Sequence, residues 1–187
     1  MSKTASKTRI LVEGALMIAL TTALSYIKFL DMPMGGSVTL EMLPIILMGY
    51  RHGVKWGCFT GFVHGFLQMI LGFSNVLYCT TLLSQIGCIL LDYVLAFTVL
   101  GLSGLFANAF SNKIAGLLVG SIIACALRFC CSFLSGYLLW GSWAPEGMHP
   151  AYYSLVYNGA YMLPSAILVC VVLAILYKAA PKLFVMD

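Results

Sequence analysis

Long apolar runs separated by short polar or glycine-bearing stretches repeat along this chain, and their lengths predict membrane-crossing helices. A helix spanning the hydrocarbon core needs about 20 mostly apolar residues. The runs predict six helices: about Arg9 to Ile27, Thr39 to Tyr50, Val54 to Leu71, Tyr78 to Phe106, Ile114 to Trp140, and Tyr153 to Lys178. The second is short for a span. Arg51-His52-Gly53 ends it, and Pro44 falls in its first turns, where a missing amide donor is best tolerated. The fourth is longer than a perpendicular crossing needs, which predicts tilt. No internal repeat of either hand is visible, which weighs against transporters built from repeated halves. The pattern predicts an all-α integral membrane bundle of six transmembrane helices, a single transmembrane domain over residues 1–187.

Composition sharpens this picture. The chain is 61% hydrophobic, 13% aromatic and only 9% charged, with a mean hydropathy of +1.00, far from the usual soluble domain. Six spans leave no room for a separate soluble domain. The first apolar run is long enough to cross and lacks a small-residue cleavage pattern, so it reads as a helix rather than a signal peptide. Placing the N terminus inside puts Lys3, Lys7, Arg9, Arg51, Lys55, Lys113, Lys178 and Lys182 in inner segments, leaving Lys28 outside and Arg128 within a helix. That bias satisfies the positive-inside rule and predicts that both termini are cytoplasmic. It also accounts for the net charge of +4, so no nucleic-acid partner is expected. The outer loops are then Phe29 to Val38, Gly72 to Leu77 and Gly141 to Tyr152. The seven cysteines form no CxxC pair and no histidine stands at zinc-ligand spacing; they read as soft packing residues, with no metal and no cofactor expected.

Candidate chemistry begins with Asp92, a carboxylate inside the run Ile89 to Phe97. At bilayer depth such a charge costs about 2.5–3.5 kcal/mol on insertion scales, so it requires a partner or a role. Arg128 and Ser132 lie four apart, on one face of the fifth helix; Trp140, eight from Ser132, drifts by about 80°. Tyr153, Tyr157, Asn158 and Tyr161 follow at the start of the sixth. On a continuous helix Tyr153 and Asn158 point about 140° apart, so they meet at one site only if Tyr153 sits at a frayed helix start. Several readings stand side by side here. Arg128 either neutralises Asp92 as a buried pair or lines a pocket with it, and Trp140 and Trp143 are either an interfacial aromatic belt or ligand contacts. His64 reads as a hydrogen-bonded helix residue rather than a metal ligand. Glu13 either snorkels or pairs with Arg9. Glu41 opens the second helix, where its charge suits the positive helix end, and is the rival acid for a cationic ligand. Ala15, Ala19 and Ala23 put small residues on one face of the first helix, for packing within the bundle or for docking a partner subunit. There is no GxxxxGK[ST] phosphate loop, no HExxH and no GxSxG with matching His and acid, which excludes these routes to hydrolysis. One acid among indole, phenol and amide groups suits a small planar cation.

These residues resemble the thiamine-specific S component of energy-coupling factor vitamin transporters. The likeness covers nearly the whole chain: the helix-1 alanines, Leu43-Pro44-Ile45 through Gly57, Leu91 through Phe106, and above all Ser135 to Gly141 and Tyr153 to Pro164. The resemblance implies six helices with the vitamin held near the outer face under the loop between helices 1 and 2. It puts Asp92, Ser132, Trp140, Tyr153 and Asn158 at the substrate site. Trp140 would stack on the ligand ring, Asp92 would accept from the aminopyrimidine, and Tyr153 and Asn158 would fix orientation. It assigns Ala15, Ala19 and Ala23 to docking a transmembrane T subunit, with two ATPases supplying energy and no covalent chemistry in this chain. Three features depart from the family pattern: Asp92 replaces a glutamate, Ser132 replaces a histidine, and the first outer loop has no tryptophan. Another planar vitamin or a thiamine precursor, and a stand-alone cation carrier, are the alternatives.

Overall fold

The shortest of the long apolar runs forms the centre of the molecule. In this computed structural model, which describes residues 6–32 and 35–185, α2 (Met42–His52) has every residue from Met42 to Tyr50 buried. A helix apolar on all sides must be wrapped by others, and α1 (Lys7–Ser25), α3 (Val54–Leu71) and α7 (Lys113–Leu138) pack around it. Gly53, at φ 83°, ends α2 and turns the chain straight into α3. At 11 residues, α2 is only about 16 Å long, so its first residue lies near mid-depth if its last turn is at a membrane surface. The helix begins and ends two to three residues later than predicted, which brings Arg51 and His52 into its final turn.

The predicted fourth helix is divided. A short α4 (Phe73–Leu77) occupies the expected outer loop, held where Tyr93 donates to the Gly72 carbonyl at 3.1 Å and accepts from Asn75 at 3.4 Å. Tyr78 lies outside any long helix, because a capping box between Thr81 and Ser84 starts the next rod at Leu82. That rod runs through α5 (Leu82–Cys88), a π-helical stretch Ile89–Leu95, α6 (Ala96–Thr98) and a 3₁₀ stretch Val99–Phe106. With three residues per turn, the 3₁₀ stretch stacks Gly101 and Gly104 in one row. A side chain at Gly101 would run into the backbone of Gly57 and Cys58, and one at Gly104 into Gly49. The rod, α2 and α3 therefore meet backbone to backbone.

α7 ends at Leu138 rather than Trp140, and α8 (Pro150–Ala179) starts three residues before Tyr153, with His149 capping the amide of Ala151 at 3.2 Å. The first outer loop carries two-residue strands, β1 (Leu30–Asp31) and β2 (Ser37–Val38), which form a small antiparallel hairpin in an otherwise helical chain. Among the described residues, four helical segments are long and apolar enough to cross a membrane: Lys7–Ser25, Leu82–Phe106, Lys113–Leu138 and Pro150–Ala179. Lys3, used in the charge bias, and Pro33 and Met34 of the first outer loop lie outside the described residues.

α1 settles one alternative. Ile10, Gly14 and Thr21 face the bundle, whereas Ala15, Ala19 and Ala23 are all exposed. The alanine stripe is not used for packing within this chain. Glu13 does not pair with Arg9. It pairs with Arg51 and, at 3.1 Å, with His52, because the last turn of α2 reaches beside it.

Candidate functional site

Asp92 is the fourth residue of the π-helical stretch, a wide turn that is frequent at functional sites. Its Oδ2 accepts three hydrogen bonds, from Ser135 Oγ at 2.6 Å, Trp140 Nε1 at 3.3 Å and Cys88 Sγ at 3.5 Å. Ser135 comes from the inner face of α7 and is fully buried. Trp140 reaches the same atom because the chain has already left the helix. A 3₁₀ turn at Gly141–Trp143 follows it, and the indole packs against a cluster containing Val76, Cys79, Cys88 and Tyr93. The eight-residue helical spacing from Ser132 therefore does not govern where Trp140 points.

Asn158 forms a second polar group on α8. Its Nδ2 donates to the Ser154 carbonyl at 3.0 Å and to Ser154 Oγ at 3.2 Å, while its Oδ1 accepts from Tyr161 Oη at 2.9 Å. Ser154 in turn donates to the Phe133 carbonyl at 2.7 Å. Close approach of α7 and α8 depends on Gly136, where a Cβ would stand 3.0 Å from Asn158 Nδ2. Ser132 is buried on α7, one turn before Ser135.

Tyr153 is not brought onto the Asn158 group. Because α8 begins at Pro150, Tyr153 sits inside a continuous helix and the frayed start that would have turned it inward does not exist. It heads a tyrosine row instead, with ring centroids 5.7 Å from Tyr157, and Tyr157 6.2 Å from Tyr161. Tyr157 Oη donates to the Gly35 carbonyl at 2.6 Å, and Gly36 lies against the Tyr161 ring. The row thus carries Gly35 and Gly36, which lead into β2.

The buried ion pair between Arg128 and Asp92 is overturned. Arg128 Nη2 bonds Glu41 Oε1 at 2.5 Å, and its guanidinium carbon lies 4.2 Å over the Phe97 ring. Seven residues separate Arg128 from Ser135, about 10 Å along α7, so the arginine is two turns away from the Asp92 carboxylate. The short α2 brings Glu41 to that level. His64 joins the same layer, edge-on to Phe97 at 4.7 Å and in contact with Thr22 Oγ1 at 3.4 Å. Among the described residues no group of three or more His, Cys, Asp or Glu is placed to hold a metal.

Sequence reasoning overlooked Ser135 and Cys88 as partners of Asp92. A signal existed, since Ser135 continues the stripe Arg128, Ser132 at the helical spacing of three, and Cys88 lies four residues before the acid. Neither residue type stands out in an apolar helix.

Residues 11–185 match the family model described as thiamine transporter protein (Thia_YuaJ). The chain belongs to this family. It is similar to the thiamine transporter ThiT of Bacillus subtilis, 38% identical over 95% of this chain and 94% of that protein. It is also similar to ThiT of Lacticaseibacillus paracasei, 31% identical over 94% of this chain and 90% of the other. The solved structure of ThiT from Listeria monocytogenes superposes with a TM-score of 0.80 at 28% identity, covering 96% of this chain and 98% of that one. Membership makes this a multi-pass membrane protein of a transporter family and not an enzyme.

Proposed function

We propose that this chain is the thiamine-binding S component of an energy-coupling factor importer, capturing the vitamin outside the cell and delivering it through a T subunit and two ATPases. The observation that carries the reading is the Trp140–Asp92 hydrogen bond of 3.3 Å, in a chain of the thiamine transporter family. It holds an aromatic face and an acid side by side, as a planar cation requires. Asp92 accepts from the ligand's amino group, Trp140 stacks on a ring, Asn158 and Ser132 complete the polar contacts, and Tyr153 borders the site from the head of the tyrosine row rather than from a frayed helix start. The bundle has six crossings, with α2 and α3 as the shorter pair and both termini cytoplasmic, as the lysine and arginine bias supports. The exposed stripe Ala15, Ala19, Ala23 fits close docking of the T subunit.

Titration of tryptophan fluorescence with thiamine tests the binding step, and saturable one-to-one binding of unmodified vitamin is expected. Uptake into vesicles tests delivery. Accumulation is expected only when the T subunit and ATPases are present, and concentrative uptake by this chain alone would establish the stand-alone carrier instead. Asp92 is one methylene shorter than the family's acid and Ser132 lacks an imidazole, which favours a thiamine precursor or another planar vitamin as the second reading. Mass spectrometry of the small molecule that copurifies separates the two.

A further inference from the structure

The hydrogen bonds around Asp92 are one-sided. Ser135, Trp140 and Cys88 all converge on Oδ2, and among the described residues no hydrogen bond reaches Oδ1. A carboxylate has about four lone-pair sites on its two oxygens, so three donors crowd one oxygen and leave the other to be filled from outside the chain. The three bonds are unequal. At 2.6 Å the Ser135 bond falls in the range of a charge-assisted O–H···O⁻ contact, whereas the indole and thiol bonds are longer and weaker. Rotation about χ2 of an aspartate is broad and poorly restrained by its own torsion, so the carboxylate orientation depends on its strongest donor. Ser135 is suited to that task. It is fully buried on a continuous helix, and its neighbour Gly136 presses against Ser154 and Asn158, so α7 cannot shift there without disturbing the amide group.

We infer that Ser135 is a positioning residue: it fixes Asp92 through Oδ2 and thereby presents Oδ1 as the acceptor for an amino or cationic N–H donor on the ligand. This rests on the proposed vitamin site. It assigns the shorter acid a compensation, since an anchored aspartate presents one defined acceptor. A ligand whose only polar atoms facing Asp92 are acceptors would be rejected.

A double-mutant cycle with Asp92→Asn tests the inference. Ser135→Ala is expected to weaken thiamine binding tenfold or more in the otherwise unchanged protein but less than twofold in the Asp92→Asn background, and Ser135→Thr, which keeps the hydroxyl, to stay within about threefold of the parent. Additive losses, or no loss on Ser135→Ala, would overturn it. Ser135→Cys, nearly isosteric but a weaker donor, carries the same cycle if the alanine variant does not fold. A ligand-free readout separates this inference from the vitamin assignment: with Trp56 and Trp143 replaced by Phe, Trp140 emission should shift on Ser135→Ala but not when Asp92 is already Asn. Failure to bind thiamine would then count against the proposed function, while the emission comparison still decides the role of Ser135.

Discussion

The two halves of the bundle are assembled by opposite means. Where α2, α3 and the Val99–Phe106 stretch meet, contact is made by backbone: Gly49, Gly57, Gly101 and Gly104 approach so closely that added Cβ atoms would overlap main-chain atoms. Around Asp92 and Asn158 contact is made by side-chain polar groups, with Ser135, Trp140, Ser154 and Tyr161 supplying the bonds. The first region is a close-packed scaffold that admits no extra atoms. The second depends on directional bonds, and those can be shared with a ligand. The Glu41–Arg128 pair lies between them, tying the start of the scaffold helix α2 to the helix that carries Ser132 and Ser135.

This contrast can be broken experimentally, most severely at the junction. Arg128→Leu leaves Glu41 unpaired inside the bundle and should destabilise by about 3–5 kcal/mol, read as a large fall in thermal stability in detergent. Adding Glu41→Gln should recover most of that loss. Asp92→Asn should recover none, and rescue by it would restore the Arg128–Asp92 pairing. Next in size, Gly101→Val should cost about 3 kcal/mol by overpacking, whereas Gly159→Ala, with nothing within 4 Å of its added carbon, should leave thermal unfolding nearly unchanged. Equal effects at the two glycines would end the distinction between scaffold and site helices.

In the outer group the loss should appear in binding rather than folding. Asp92→Asn and Trp140→Ala are each expected to weaken thiamine binding tenfold or more, about 1.4 kcal/mol, with less change in thermal stability than Gly101→Val. Unchanged affinity by isothermal titration for both variants would remove them from the site. The smallest effect is expected for Tyr157→Phe, which deletes the hydrogen bond to Gly35 at about 0.5–1.5 kcal/mol. It should raise amide exchange at Phe29 and Met32 in the hairpin, whose amides bond Val38 and Gly36, while leaving the bundle amides protected.

Much of the architecture was legible because membrane helices announce themselves locally. Apolar run length and the alanine stripe needed no knowledge of neighbours, and Asp92 stood out by the cost of a charge in an apolar run. Boundaries were less legible where polar side chains decided them. The Thr81–Ser84 capping box moved the start of the fourth rod, His149 moved the start of α8, and the departure of the chain from α7 at Leu138 freed Trp140 to turn back. The first-loop hairpin was not foreseen, since its strands have two residues each, too few for any alternation to register.

The sequence alone determined that this chain lives in a membrane as a helical bundle, and which polar residues had to be accounted for there. Both follow from the chemistry of single segments in an apolar solvent. Only the tertiary structure decided how those residues pair: Arg128 with Glu41 rather than Asp92, Glu13 with Arg51 and His52 rather than Arg9, and Asp92 with Ser135, Cys88 and Trp140. It also decided that the alanine face of α1 points outward. The physical reason is that pairing depends on helix rotation, depth and local pitch. A short α2 and a π-helical turn set these for Glu41 and Asp92, and neither can be read from apolar periodicity.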